Sequence, residues 1–119
     1  MITLNTLKDA TAQEVFDQVA EHLLTQNRTS FDGQSCKYRI VLENKDILKC
    51  AAGCLIGDDE YNPDFEGRTW KRLVSLGLVP LAHDELIKDL QKVHDLINFT
   101  NWNTTLKCVA TRHHLNFKW

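Results

Sequence analysis

The sequence predicts a mainly helical α+β domain with four or five helices and one small antiparallel β-hairpin at about residues 37–50. Apolar residues recur at helical spacing in two long stretches, one near the start of the chain and one after residue 83. Between them, two short β-branched segments flank a polar turn. A chain of 119 residues without an obvious linker or repeat is the size of one ordinary domain, so we expect a single compact domain over residues 1–119.

The first helix is expected at about residues 12–26. Thr11-Ala12-Gln13-Glu14 has the form of a capping box, in which the Thr11 hydroxyl and the Glu14 carboxylate satisfy backbone donors at the helix start. The apolar residues that follow have the spacing of one buried stripe and are Val15, Phe16, Val19, Ala20, Leu23 and Leu24.

The hairpin follows a polar loop at 27–35 that contains Asp32-Gly33. Its first strand is expected at 37–42 and its second at 47–50, because β-branched residues lie on both sides of the turn-forming segment 43–46. Small and apolar residues at 51–56 predict a short helix that packs closely against the hairpin and ends near Gly57.

The second half of the chain begins with an acidic loop at 58–67 and a short helix that Thr69 caps. Gly77 and Pro80 end that helix. The clearest helical periodicity follows His83 and predicts another long helix. Its inward-facing residues are Leu86, Ile87, Leu90, Val93, His94 and Ile97.

A last helix is expected after Asn101 or Asn103, either of which can act as its cap. Its inward residues are predicted to be Trp102, Leu106, Val109 and Ala110, and an apolar tail follows at 115–119.

Charge and hydropathy exclude several classes of protein. Fourteen basic and sixteen acidic residues give a net charge of -2, which argues against a dedicated duplex-DNA binder. No apolar run is long enough to cross a bilayer and the N-terminus does not have the pattern of a secretion signal, so we expect no membrane partner and a cytoplasmic location. In that compartment the four cysteines are expected as thiols or metal ligands instead of disulfides.

The cysteines suggest two alternatives. The candidate zinc ligands are Cys36, Cys50, Cys54 and Cys108, with His83 or His113 as substitutes for the fourth. However, only one pair is closely spaced, and reduced cysteines commonly fill space in a protein interior. We therefore expect no cofactor and buried structural thiols, with zinc as the alternative.

Two further patterns could support chemistry. Cys50 or Cys54 with His94 or His113 could form a nucleophile and base, although His94 lies in the apolar stripe of its helix and is also expected as a core residue. The acidic residues of segment 58–67 could hold a hard cation or simply form a solvated face; they are Asp58, Asp59, Glu60, Asp64 and Glu66.

Binding residues are expected in two places. A basic and aromatic patch around Arg68, Trp70 and Lys71 could bind nucleic acid or a small phosphorylated ligand, and the aromatic C-terminus could pack on its own domain or form a homodimer contact. The candidate ligand- or partner-binding residues are Tyr38, Arg39, Arg68, Trp70, Arg72, Trp102 and Trp119.

Three motifs carry a resemblance: Cys36-Lys37-Tyr38-Arg39, Lys49-Cys50-Ala51-Ala52-Gly53-Cys54-Leu55-Ile56 and Leu90-Gln91-Lys92-Val93-His94-Asp95. Through them, most of the chain resembles a group of small uncharacterised proteins of bacteria and bacteriophages. The resemblance implies a cytosolic setting and a phage or mobile-element origin, and it implies no catalytic or binding residue. The hairpin at 40–48 is longer than the glycine-containing turn expected for that group.

The absence of a catalytic signature favours a non-enzymatic binding protein. The leading hypothesis is a phage-encoded inhibitor or sequestering agent that acts on a host defence protein or a small signalling ligand. The first alternative is a small zinc-containing nucleic-acid-binding module that uses residues 68–72, and the second is a Cys/His hydrolase or transferase.

Overall fold

Four α-helices and a two-stranded antiparallel sheet form the fold in the computed structural model, which describes residues 1–119. This confirms the predicted mainly helical α+β fold. In chain order the elements are α1 (Ala12–Gln26), β1 (Arg39–Val41), β2 (Ile47–Lys49), α2 (Trp70–Ser75), α3 (Asp84–Leu96) and α4 (Trp102–Arg112). None of the helices combines the length and the apolar character needed to cross a membrane.

Helix α1 has the predicted capping box. The Thr11 side chain accepts a hydrogen bond from the Glu14 N–H at 3.1 Å, and the Glu14 carboxylate accepts one from the Thr11 N–H at 2.8 Å. The helix ends at Asn27, which has φ 49° and donates its N–H to the Leu23 carbonyl. The buried face of α1 then packs against α3 and α4, and 25 buried residues form one core cluster.

The hairpin is shorter than predicted. Its register pairs Arg39 with Lys49 and Val41 with Ile47. The expected strand residues 37 and 38 leave the ladder because their backbone donors have other partners: the Lys37 N–H donates to the Ser30 carbonyl and the Tyr38 N–H donates to the carboxylate of a distant glutamate.

That glutamate is Glu66, from the loop predicted to be a solvated acidic face or a cation site. Its carboxylate accepts hydrogen bonds from the backbone N–H groups of Tyr38 at 2.9 Å and Arg39 at 3.2 Å, and from the Tyr61 hydroxyl at 2.7 Å. A carboxylate that satisfies three donors at once fixes two distant segments to each other.

Glu60 has the same role at the N-terminus of the chain. Its carboxylate accepts the backbone N–H groups of Leu4, Asn5 and Gly57 at 2.7–2.9 Å. Both glutamates therefore act as hydrogen-bond acceptors for the protein's own backbone.

The predicted helix at 51–56 is a 3₁₀ turn, Ala52–Leu55. Its sulfur atoms bond locally: Cys50 Sγ accepts the Gly53 N–H at 3.3 Å, and the Cys54 thiol donates to the Ala51 carbonyl at 3.2 Å. Both cysteines are buried, as expected for structural thiols. Gly53 lies so close to Tyr38 that a Cβ atom would meet the Tyr38 carbonyl oxygen at 2.1 Å.

Helices α3 and α4 pack against each other, and an ion pair joins the middle of α3 to the end of α4. Asp89 accepts a hydrogen bond from His113 Nε2 at 2.7 Å and lies 3.4 Å from Arg112 Nη1. The predicted caps of α4 are not used, since the Asn101 side chain makes no capping bond. Asn98 instead caps the 3₁₀ turn Phe99–Asn101 that leads into the helix.

We predict that Gly53→Ala lowers the free energy of unfolding by about 3 kcal/mol, because the new methyl group overlaps a backbone oxygen that cannot move freely. Urea denaturation followed by tryptophan fluorescence measures this. Gly67→Ala is the matched control: it has φ +79° and open space around its Cβ position, so it should lose only about 1 kcal/mol from backbone strain. Equal losses in the two variants would contradict the close contact.

Asp89 should make stability depend on pH. Burial raises the pKa of Asp89, but the hydrogen bond from His113 and the charge of Arg112 outweigh burial and hold that pKa below its ordinary value of 3.8. The stabilisation is therefore complete above about pH 4 and is lost as the pH falls through the lowered pKa. We expect Asp89→Asn to cost about 1–2 kcal/mol at neutral pH and less in acid, whereas exposed Glu43→Gln should cost nothing at either pH. Urea denaturation at a series of pH values checks this, and a constant difference across the series would refute it.

Candidate functional site

A cavity of about 570 Å³ lies between three segments of the chain. We call it the basic pocket; it is lined by residues 36–38, by residues 67–71, and by positions 88, 91, 92, 95 and 96 of α3. Its volume is in the range of small-molecule binding sites. The pocket thus brings together one face of α3 and two segments that lie about thirty residues apart in the sequence.

Positive charge is concentrated in this pocket although the chain as a whole carries -2. Its cations are Lys37, Arg68, Lys71, Lys88 and Lys92, and its single acidic residue is Asp95. Lys37 lies 3.8 Å from a carboxylate oxygen of Asp32, and Lys88 lies 2.9 Å from one of Glu85. Arg68, Lys71 and Lys92 form no ion pair. Three uncompensated cations around one cavity attract an anion.

Two aromatic residues form an inner wall of the pocket. The rings of Tyr38 and Trp70 lie 6.4 Å apart, and the Tyr38 hydroxyl donates to the Arg68 carbonyl at 2.6 Å. Burial raises the pKa of Tyr38, so its hydroxyl stays protonated and remains a donor. Trp70 is 3% exposed, and its indole N–H has no acceptor within the protein. This nitrogen is itself inaccessible, so its unmet hydrogen bond lies in the interior behind the pocket wall.

The α3 face of the pocket follows from helical spacing. Lys88 and Lys92 are four residues apart, as are Gln91 and Asp95, so each pair lies on one side of the helix. The Gln91 carbonyl oxygen accepts the Ala52 N–H at 2.9 Å, which fixes this side chain against the 3₁₀ turn. The amide nitrogen of Gln91 then reaches both carboxylate oxygens of Asp95 at 3.4 Å.

His94 lies behind this face and is 1% exposed. Its Nε2 accepts the Ser30 N–H at 2.9 Å, so in the neutral ring Nδ1 carries the proton and donates it to Asp95 Oδ1 at 2.7 Å. The ring also lies 5.6 Å from the ring of Trp102. Both nitrogens are therefore occupied, and His94 has no free lone pair to act as a base.

The structure does not bring the four predicted metal ligands, Cys36, Cys50, Cys54 and Cys108, together. The one group of three metal-ligand residues with atoms within 4.8 Å of one another is Cys36, His94 and Asp95. This group does not suit zinc, since His94 Nδ1 bears the proton that Asp95 accepts. Moving that proton to Nε2 would set it against the Ser30 N–H.

The predicted binding residues divide into two sets. Tyr38, Arg68 and Trp70 come together in the basic pocket. Arg39 lies outside it, because its guanidinium pairs with Asp58 at 2.7 Å. Arg72 is exposed on α2 and does not line the pocket.

Of the two alternatives for the aromatic C-terminus, the structure has packing on its own domain. Trp102, which the sequence predicts as a partner contact, is fully buried in the core. Phe117 and Trp119 pack beside Phe16 of α1, with ring centroids 6.4 and 6.2 Å from that ring. The backbone N–H of Asn116 also donates to the side chain of Gln13. The C-terminal tail therefore packs on its own domain.

Sequence reasoning missed five polar residues of the pocket, namely Lys37 and the four polar residues of α3: Lys88, Gln91, Lys92 and Asp95. The spacing of the four α3 residues was the available signal, because they share one face of an amphipathic helix. The same spacing occurs on an ordinary solvent-exposed helix face. The segment at 67–71, which lies opposite α3, makes this face a wall of the pocket.

Comparisons with models of protein families, with curated proteins and with solved structures found no match to this chain. The functional interpretation therefore rests on the geometry and the charges of the basic pocket.

We predict that the pocket thiol is a poor nucleophile. Burial raises the pKa of Cys36 to about 11, with the charge of Asp95 adding to the effect, and burial raises that of Cys50 to about 12. At neutral pH a thiol-selective reagent, followed by peptide mass spectrometry, should modify exposed Cys108 first and Cys36 much more slowly. Cys108→Ser should remove the fast phase. Faster labelling of Cys36 than of Cys108 would restore a nucleophilic role.

Proposed function

We propose that this protein is a non-catalytic binding protein that holds a small phosphorylated ligand in the basic pocket. The observation that carries the proposal is the set of unpaired cations, Arg68, Lys71 and Lys92, around an aromatic-walled cavity. Guanidinium and ammonium groups form their strongest hydrogen bonds with phosphate and carboxylate oxygens. A cavity of this size surrounds a small molecule instead of an extended polymer.

The groups around the pocket favour binding over catalysis. A nucleophilic cysteine requires a thiolate and a neighbouring base. Cys36 has a raised pKa, and both nitrogens of His94 are engaged. These features argue against the hydrolase or transferase alternative.

The zinc-containing nucleic-acid module is also less favoured. The cations of segment 68–71 line a half-open cavity of about 570 Å³, whereas a duplex requires positive charge along an extended surface. Phe117 and Trp119 pack against Phe16 of α1, and this contact favours a monomer over a homodimer formed through the C-terminal segment.

We extend the proposal to a biological role. A protein that encloses a small phosphorylated ligand without converting it acts by sequestration, and the sequence resemblance to phage proteins suggests a phage-encoded antagonist of a host defence signal. The reduced cysteines suit action in the cytoplasm. Alternatively, the antagonist acts on a host protein, and that action would not require the basic pocket.

The simplest test uses inorganic pyrophosphate as the probe. Isothermal titration calorimetry should detect its binding to the wild-type protein, with affinity that falls as salt is raised. Arg68→Gln and Lys92→Gln should each weaken binding about tenfold, which corresponds to about 1.4 kcal/mol for one charged hydrogen bond.

Lys107→Gln is the matched control, since Lys107 is exposed on α4, forms no ion pair and lies outside the pocket. It removes the same charge and should leave the affinity unchanged. Absence of binding, or an equal loss in the control, would refute the proposed site.

A further inference from the structure

We infer that the ligand of the basic pocket is a guanine nucleotide, with its phosphate at the cations and its base hydrogen-bonded to Asp95. This inference rests on the proposed function, because it names the ligand class of the same site. It follows from three features of the pocket: an acidic residue among the cations, the distance along α3 and the apolar surface beside Asp95.

Asp95 is the one acidic residue in a pocket that contains five cations. A site for phosphate alone gains nothing from a carboxylate, since like charges repel. Its Oδ1 accepts from His94 at 2.7 Å and receives a long 3.4 Å contact from Gln91, and Oδ2 receives only a second 3.4 Å contact from Gln91. Each carboxylate oxygen accepts two hydrogen bonds, so ligand donors would take the free position on Oδ2 and displace a long Gln91 contact.

The charges are separated along the helix. Lys88, whose ammonium also lies 2.9 Å from Glu85, and Asp95 are seven residues apart on α3, which places them about 10 Å apart along the helix axis. Lys92 lies between them, one turn from each end. A ligand that spans this face therefore needs an anionic group at one end and N–H donors at the other. A nucleotide has this arrangement, because its phosphate and the outer edge of its base lie at opposite ends.

The end of the pocket near Asp95 is apolar. Leu96 is 75% exposed, and it lines the pocket next to the carboxylate. A flat base would cover this side chain and exclude water from it.

Among the bases, guanine matches a carboxylate best. Its N1–H and its 2-amino group are adjacent donors, and one carboxylate can accept both. Adenine presents a single amino group beside a lone pair that a carboxylate would repel. A site built around one hydrogen-bonding group rejects analogues that lack its partner.

The experiment compares five probes on the full chain by calorimetry: guanosine monophosphate, inosine monophosphate, adenosine monophosphate, ribose 5-phosphate and inorganic pyrophosphate. We expect guanosine monophosphate to bind about tenfold or more tightly than ribose 5-phosphate and adenosine monophosphate. Inosine monophosphate lacks the 2-amino group and should be several-fold weaker.

Asp95→Asn should abolish the preference for guanine and leave the affinity for pyrophosphate intact or increased, because the carboxylate contributes nothing to the phosphate end. The asparagine oxygen still accepts the His94 N–H, so we expect the fold to persist. Asp64→Asn, an exposed change outside the pocket, is the control and should preserve the preference.

The outcomes separate the two proposals. If pyrophosphate binds and the base adds no affinity, the guanine inference is wrong while the anion site stands. If neither pyrophosphate nor any nucleotide binds, the proposed function itself fails. Should Asp95→Asn not fold, the comparison of guanosine with inosine monophosphate on the wild-type protein still decides the inference, since equal affinities would overturn it.

Discussion

The buried imidazole of His94 is the contact on which the pocket depends. It accepts the backbone N–H of Ser30, donates to Asp95 and packs beside Trp102, so one ring joins the irregular segment before the hairpin to α3 and α4. Segment 36–38 follows directly from this anchored loop and forms one wall of the basic pocket. Because a buried donor or acceptor without a partner costs free energy, the ring and the loop hold each other in place.

The same principle applies to the other loops of the protein. Glu66 fixes the start of β1 through two backbone donors, and Glu60 fixes the N-terminal segment. In these irregular segments, hydrogen bonds to acidic side chains take the place of the backbone hydrogen bonds of helices and sheets. A pocket wall held by such contacts is fixed by the protein itself, and under the proposed function this order reduces the entropy lost when a ligand binds.

The local charge of the pocket and the net charge of the chain have opposite signs, and the pocket is the more informative of the two. A net charge of -2 argues against the binding of polyanions such as nucleic acids, yet five cations line one cavity. Meanwhile the three cysteines around the hairpin divide between packing and the pocket: Cys50 and Cys54 form local hydrogen bonds in the interior, and Cys36 lines the cavity as a protonated thiol. The proposed binding of an anionic small molecule is consistent with these observations and requires no catalysis.

The sequence by itself determined the features that depend on neighbouring residues. The capping box of α1, the apolar stripes of α1 and α3, and the hairpin turn are set by spacings of a few residues, and the structure has all of them. Tertiary structure alone decided which loop faces α3, and hence that Lys37 and Arg68 meet Lys92. It also decided that Trp102 is buried and that Cys36, instead of Cys50 or Cys54, lies beside an imidazole. The reason is that contacts between distant segments depend on how the whole core packs, and short-range spacing carries no information about that packing.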